Sequence, residues 1–270
     1  MAESAIAVRN LHKRYGAFEA LRGVTLDVPA GSICGFLGRN GAGKTTTMKI
    51  LLGIAHATSG EARVLGLDDD VEIRKRTGFV SEEKDLYPYM TVAEIVRFTA
   101  SFYPHWRAEL ASRYIRELGA HRKIRSLSRG MRTKLALLLA VCRGAELLIV
   151  DEPTSGLDPA ERDDALKMLV QAGSTVFFST HDLSEVEQIA DRVAIIDRGR
   201  IAISAPLDDL RETYRRVELV FENDAPEWSA GSRPQRSGVP PGRWFRRRAR
   251  RPTTADETSA LHLPSAKAAC

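Results

Sequence analysis

The chain has 270 residues, 43% hydrophobic and 28% charged, with 40 Lys and Arg against 35 Asp and Glu for a formal net charge of +5. That length fits one large α/β domain able to bury a full hydrophobic core. The longest apolar run, residues 135–142, is too short to span a bilayer, and the Met-Ala-Glu-Ser-Ala start lacks the basic and apolar regions of a secretory signal.

The positive charge is gathered at one end. Residues 228–270 hold nine Lys and Arg against two acids, which leaves residues 1–227 at a net charge of −2. The affinity for nucleic acid or anionic membrane that a basic protein invites therefore attaches to a tail. Cys34, Cys142 and Cys270 lie far apart without CxxC spacing. That pattern argues for a reducing compartment and against a disulfide framework or a thiolate metal site. The expectation is a soluble intracellular protein.

In chain order, residues 5–8 and 23–28 alternate apolar and polar between Gly and Pro, which predicts antiparallel strands with one wet face. Residues 32–37 are nearly all apolar, as a strand buried on both faces would be. They run into Gly38-Arg-Asn-Gly-Ala-Gly-Lys-Thr45, and a helix is predicted over 46–52, ending at Gly53. Asp68-Asp69-Asp70 reads as a solvated loop. Helical spacing then predicts helices over 91–102, over 107–118 and from Ser128 through the 135–141 apolar stretch, as an insert between strands. Strand–helix alternation resumes with strands at 146–151, 175–179 and 193–197 and helices at 160–171 and 183–189, which predicts a mainly parallel sheet. Arg198-Gly199 turns the chain into a hairpin partner over 200–204. Beyond about Asn223 periodicity is lost and Pro, Gly, Ser and Arg dominate, a disorder composition.

Gly38-x-x-x-x-Gly43-Lys44-Thr45 fits the P-loop pattern. Glycines let backbone N–H groups converge on phosphate oxygens, and the following helix directs its positive end at them. Lys44 would reach the β- and γ-phosphates of ATP, and the Thr45 hydroxyl would meet Mg²⁺. The apolar strand Leu147-Leu-Ile-Val ends in Asp151-Glu152. Asp151 would help hold Mg²⁺, and Glu152 stands where a residue polarising the attacking water is needed.

With these motifs in hand, the chain resembles the ATP-binding subunit of an ABC transporter over roughly residues 3–222. Leu127-Ser-Arg-Gly-Met131 resembles the family signature, and Asp151-Glu-Pro-Thr-Ser-Gly-Leu-Asp158 the Walker B segment with its D-loop. Ser179-Thr-His181 resembles the switch histidine, and Thr77-Gly-Phe-Val-Ser-Glu82 the Q-loop. The resemblance implies a P-loop NTPase fold of the ABC type: a mainly parallel core sheet, an N-terminal antiparallel β-subdomain and an inserted helical subdomain. The expected organisation is an ATPase domain over 1–223, with the helical part at about 81–143, and a basic, disordered tail over 224–270.

The resemblance also implies that two such subunits, as homo- or heterodimer, bury two ATP molecules head to tail. The nucleotide site would comprise Gly38, Asn40, Gly41, Ala42, Gly43, Lys44, Thr45 and Thr46, with Tyr15 stacking on adenine. Ser128 and Gly130 would touch the γ-phosphate on the partner, and Asp158 would link the two sites. His181 would hold the γ-phosphate and water, and Glu82 would join Thr45 and Asp151 at the metal. Glu82 stands where many members have Gln, and Arg129 and Met131 replace a Gly and a Gln of the commonest signature. Together Glu82 and Met131 resemble the subset of bacterial drug and antibiotic exporters.

The implied function is an ATPase on the inner face of the cell membrane that powers a separate integral permease. A different class, a soluble ABC-type ATPase acting on nucleic acid or ribosomes, is motivated by the basic tail. Two fused domains or long coiled-coil inserts, usual in such proteins, do not fit in 270 residues, and nucleic acid is not the expected partner. A hydrolysis-poor regulatory subunit is disfavoured by the intact Glu152 and His181. Phe98, Phe102 and Trp106 recur four apart, which reads first as core packing; with Tyr87 and Tyr89 they could instead form an apolar groove for a helix of the membrane partner. His56, His105 and His121 show no ligand spacing. The Arg cluster at 243–251 reads as part of a solvated tail, with contact to anionic lipid as the other reading.

Overall fold

The computed structural model describes residues 3–213, so the expectations for the 224–270 tail and its Arg cluster lie outside the described residues. Two sheets organise the chain. The first is antiparallel, ordered β2–β1–β4, from β1 (Ser4–Tyr15), β2 (Phe18–Pro29) and β4 (Ser59–Val64). The second runs β5–β6–β7–β3–β8–β9, from β3 (Ile33–Leu37), β5 (Thr77–Val80), β6 (Leu147–Asp151), β7 (Thr175–Thr180), β8 (Arg192–Asp197) and β9 (Arg200–Pro206). Its strands are parallel except β9, which pairs antiparallel with β8.

Strand periodicity of two builds two cores on the faces of this second sheet. Leu147, Ile149 and Phe177 join Ile6, Val8, Leu21, Met48 and Leu51 on the side of the antiparallel sheet. Leu148, Val150, Val176 and Phe178 face the opposite side, against Leu135, Leu138, Leu166 and Leu169 of the helices. Every residue of β6 and β7 is buried, which is why these strands read as unbroken apolar runs.

The helical insert contains α3 (Val92–Ala100), α4 (Ala108–Leu118) and α5 (Arg129–Cys142), close to the sequence expectation. Thr91 and Glu94 form a capping box: Glu94 N donates to Thr91 Oγ1 at 3.2 Å, and Thr91 N donates to Glu94 Oε2 at 2.7 Å. The backbone bond from Thr91 holds the Glu94 carboxyl below its usual pKa. Around the turn at Arg198-Gly199 both residues have positive φ, 47° and 76°, as a tight two-residue hairpin requires.

The remaining helices are α1 (Lys44–Leu51), α2 (Asp70–Arg76), α6 (Pro159–Val170), α7 (Leu183–Ile189) and α8 (Leu207–Thr213). Three expectations change. Asp68-Asp69-Asp70 is not simply a solvated loop: Asp69 caps α2, accepting from Val71 N at 2.9 Å and Glu72 N at 2.8 Å. This helix carries Asp70 and Glu72 in its first turn and Arg74, Lys75 and Arg76 in its last, matching the helix dipole. The helix after the P-loop starts two residues earlier than predicted, at Lys44.

The third change concerns the aromatics. Phe98 and Phe102 are not core: they are 44% and 64% exposed and stack edge-on at 5.1 Å, with Tyr87 edge-on to Phe98 at 6.1 Å. Only Trp106 packs, partly buried, against the helical core. A four-residue spacing places side chains on one helix face but does not say whether that face meets protein or water.

Candidate nucleotide site

Register brings three strand ends together. Asp151 of β6 lies opposite Ser179 of β7, and Thr180 of β7 lies opposite Leu37 of β3. Loops leaving the carboxyl ends of parallel strands are where an open α/β sheet binds ligands. The Gly38–Thr45 segment leaves β3 here and is pinned from three directions. Gly38 N donates to Thr180 O at 3.1 Å, and Gly199 N donates to Ala42 O at 2.9 Å. Gly43, at φ 113°, lies so close to β2 that a Cβ would meet Leu21 Cδ2 at 2.7 Å.

Helix α1 begins at Lys44 without a capping side chain and without an acid in its first turn. By contrast α2, α3, α5, α6 and α7 are capped by Asp69, Thr91, Ser128, Asp158 and Asp182. First-turn N–H groups left uncapped at a positive helix end form an anion seat. Asn40 and Gly41 are exposed at the tip of the loop, Thr46 is half-buried, and Ala42 is buried beneath.

The charged groups converge beside that seat. Lys44, buried, donates from Nζ to Gly38 O at 2.7 Å and stands 3.1 Å from Glu152 Oε1. Glu152 Oε2 accepts from His181 Nδ1 at 2.8 Å. Oε1 is buried without a hydrogen-bond partner among the described residues, because the Lys44 contact is an ion pair lacking hydrogen-bond alignment. His181 itself is largely exposed, 59% by side chain. A carboxylate held between a lysine and a histidine beside an anion seat is placed to orient a water on a bound phosphate.

Asp151 has both oxygens engaged: Thr45 Oγ1 donates to Oδ2 at 2.7 Å, and Ser179 Oγ donates to Oδ1 at 2.5 Å. A hydroxyl and a carboxylate side by side are the hard oxygen donors that Mg²⁺ prefers, so the pair fits that ion. The Glu82 carboxylate is exposed and forms no hydrogen bond or ion pair to Thr45 or Asp151 among the described residues.

Ser179 is the residue whose weight the sequence did not show. Fully buried, it donates to Asp151 and also accepts from Glu152 N at 3.0 Å. Ser179→Ala is expected to destabilise the fold by about 1–3 kcal/mol, because a buried carboxylate oxygen and a buried N–H lose their partner. Urea unfolding midpoints of the variant and the parent check this, with phosphate release measured alongside.

Two further groups escaped the sequence reading. Buried Glu185 accepts from Thr154 Oγ1 and, at 2.7 Å, from Thr180 Oγ1, tying the segment after β6 to the end of β7. Buried Lys84 donates to Glu82 O and to Glu152 O, each at 3.0 Å. Burial lowers its pKa from the usual lysine value, and the nearby Arg129 charge adds to this. Neither residue belongs to a short motif with a fixed spacing. Only the fold brings Lys84 and Glu152, 68 positions apart, together.

The other predicted residues lie away from these contacts. Tyr15 ends β1 with its ring about half exposed, and Lys13 Nζ lies 4.8 Å from the ring centroid. Ser128 caps α5, accepting from Met131 N at 3.1 Å, and Asp158 caps α6, accepting from Glu161 N at 2.9 Å. Gly130 leaves room for Glu161, since a Cβ there would stand 2.0 Å from that carboxylate. Ser128 and Gly130 make no hydrogen bond to the 38–46 loop of their own chain among the described residues. Burial pushes the Cys34 and Cys142 thiols up to about 12, so neither is a nucleophile at neutral pH.

The family model described as ABC transporter matches residues 21–155. The ABC transporter ATP-binding protein YdbJ of Bacillus subtilis (strain 168) is 34% identical, over 87% of this chain and 80% of that protein. The bacitracin transport ATP-binding protein BcrA of Bacillus licheniformis is 33% identical, over 78% of this chain and 72% of its own. A solved structure of the ATP binding subunit of an ABC transporter superposes with a TM-score of 0.69 at 29% identity, covering 77% of this chain and 92% of that one. A P-loop backed by Asp151, Glu152 and His181 on this sheet order, together with these relatives, places the chain in the ABC transporter family as an ATP-binding subunit, an ATPase whose hydrolysis is coupled to transport.

Proposed function

We propose that this subunit binds Mg²⁺ and ATP, closes head to tail on a second ATP-binding subunit, and drives an integral membrane permease, in the direction of export. The observation that carries the reading is Glu152: buried at the end of β6 beside the phosphate loop, its N–H held by Ser179 and its carboxylate set between Lys44 and His181. The α1 N-terminus and the 38–46 loop would receive the phosphates, and the Tyr15 face would receive adenine. Thr45 and Asp151 would hold Mg²⁺, with Glu82 reaching it from the loop after β5. The ion, when bound, offsets phosphate charge.

In the reaction the water oxygen bonds to the γ-phosphorus while the bond from that phosphorus to the bridging oxygen breaks, releasing ADP and phosphate. Glu152 orients the water and accepts its proton, and Lys44 and His181 stabilise the charge on the transferred group. ATP on one subunit would be completed by Ser128 and Gly130 of the other, at the start of α5, while Asp158 joins the two sites. A 36% identical relative from Burkholderia orbicola (strain AU 1054), the Nod factor export ATP-binding protein I, supports export. The exposed Tyr87, Tyr89, Phe98 and Phe102 supply an apolar surface of the kind a permease helix would cover.

The test is assembly. The full-length subunit, purified in mild detergent from its own membranes, is expected to bring one integral membrane protein with it, and the isolated subunit should double in mass when ATP is added. A monomer at saturating ATP together with no membrane partner would overturn the proposal.

A further inference from the structure

We propose that Lys84 is a positioning residue for hydrolysis: its buried ammonium ties the loop bearing Glu82 to the backbone of Glu152 and so fixes the catalytic carboxylate. The inference rests on Glu152 being the residue that orients water. Glu152 does not take its orientation from secondary structure, since it lies one residue past the end of β6. Its φ is 47°, a left-handed conformation that a side-chain-bearing residue adopts only when its surroundings impose it.

Two side chains impose it. Ser179 Oγ from β7 accepts the Glu152 N–H at 3.0 Å, and Lys84 Nζ from the loop after β5 donates to the Glu152 C=O at 3.0 Å. The peptide groups on both sides of the Glu152 Cα are thereby held, and with them the point from which its carboxylate reaches Lys44 and His181. Lys84 is fixed in turn. It too is left-handed, at φ 50°, its N–H donates to Ser81 O at 3.3 Å, and its ammonium donates to Glu82 O at 3.0 Å. A solvated loop lysine needs none of this; at 9% exposure its head group is committed to two carbonyl oxygens. Because the same loop continues to exposed Tyr87 and Tyr89, movement there would reach Glu152 through this one side chain.

The experiment compares full-length wild type, Lys84→Met, Lys84→Arg and Glu152→Gln for kcat, KM for ATP and thermal midpoint. Lys84→Met keeps the side-chain volume and removes the donors; kcat is expected to fall about 10- to 100-fold while KM stays within about threefold. Lys84→Arg, which keeps the charge and the N–H donors, is expected to recover most of the turnover. Wild-type kcat in Lys84→Met beside an inactive Glu152→Gln would overturn the positioning role. So would an equal defect in Lys84→Met and Lys84→Arg, or a loss confined to KM. Should Lys84→Met not fold, Lys84→Leu, likewise without donors, carries the same comparison, and full turnover in it has the same meaning. Turnover by Glu152→Gln would instead remove the catalytic reading itself.

Discussion

Glu152→Gln is expected to cut steady-state ATP turnover by at least about 100-fold, the scale of a lost general base. The substitution keeps shape and length. A glutamine still offers a carbonyl oxygen to His181 and fills the buried space beside Lys44. What it loses is the charge and basicity of the carboxylate. On the proposed reading ATP binding would use the P-loop amides and Lys44, which the substitution leaves in place, so affinity should persist. With hydrolysis blocked, the ATP-bound closed dimer should accumulate and be visible by sedimentation as a doubled mass that disappears on removal of nucleotide. Phosphate release at the wild-type rate would show that another group orients the water.

Lys44→Met should have a comparably large effect, in a different quantity. The variant loses the cation that would meet the β- and γ-phosphates, so ATP binding is expected to weaken severely. It also strands a carboxylate. Glu152 is only 5% exposed, and Lys44 is its buried cation, while His181 holds the other oxygen. Removing one partner of a buried ion pair costs about 3–5 kcal/mol, mostly because the remaining charge is left uncompensated. The nucleotide-free variant should therefore melt well below wild type. Lys44→Met combined with Glu152→Gln should recover most of that loss, since no charge is then stranded, while remaining inactive. A double variant no more stable than Lys44→Met would show that the pair is not what holds the empty site together.

How much of this could be read from the chain follows from the range over which each interaction acts. The P-loop is contiguous, and its logic is local: glycines for close approach, a lysine, a hydroxyl and a helix start. The capping box at Thr91 and Glu94 is equally local, and the turn at Arg198-Gly199 fell where expected. Helix α2 was hidden because it is seven residues long and its acids read as solvated loop charge rather than as a cap and a dipole match. Strand β4 was hidden because its burial comes from pairing with β1 and not from an apolar alternation of its own. The face of α3 bearing Phe98 and Phe102 was misread for a further reason. Periodicity identifies a face, and only packing decides whether anything covers it.

The catalytic arrangement divides in the same way. Residue types and their order are legible along the chain: a phosphate loop, an acid pair at a strand end, a serine and a histidine at another, a signature-like segment and a basic tail. The pairings across 106 residues from Thr45 to Asp151, across 28 from Asp151 to Ser179, and across 68 from Lys84 to Glu152 come from the fold. Short motifs are legible because their geometry is set by backbone rules within a few residues. Glu152 is held from a neighbouring strand and a distant loop, because a residue just past a strand end has no ladder to fix it and depends on whatever the fold brings alongside.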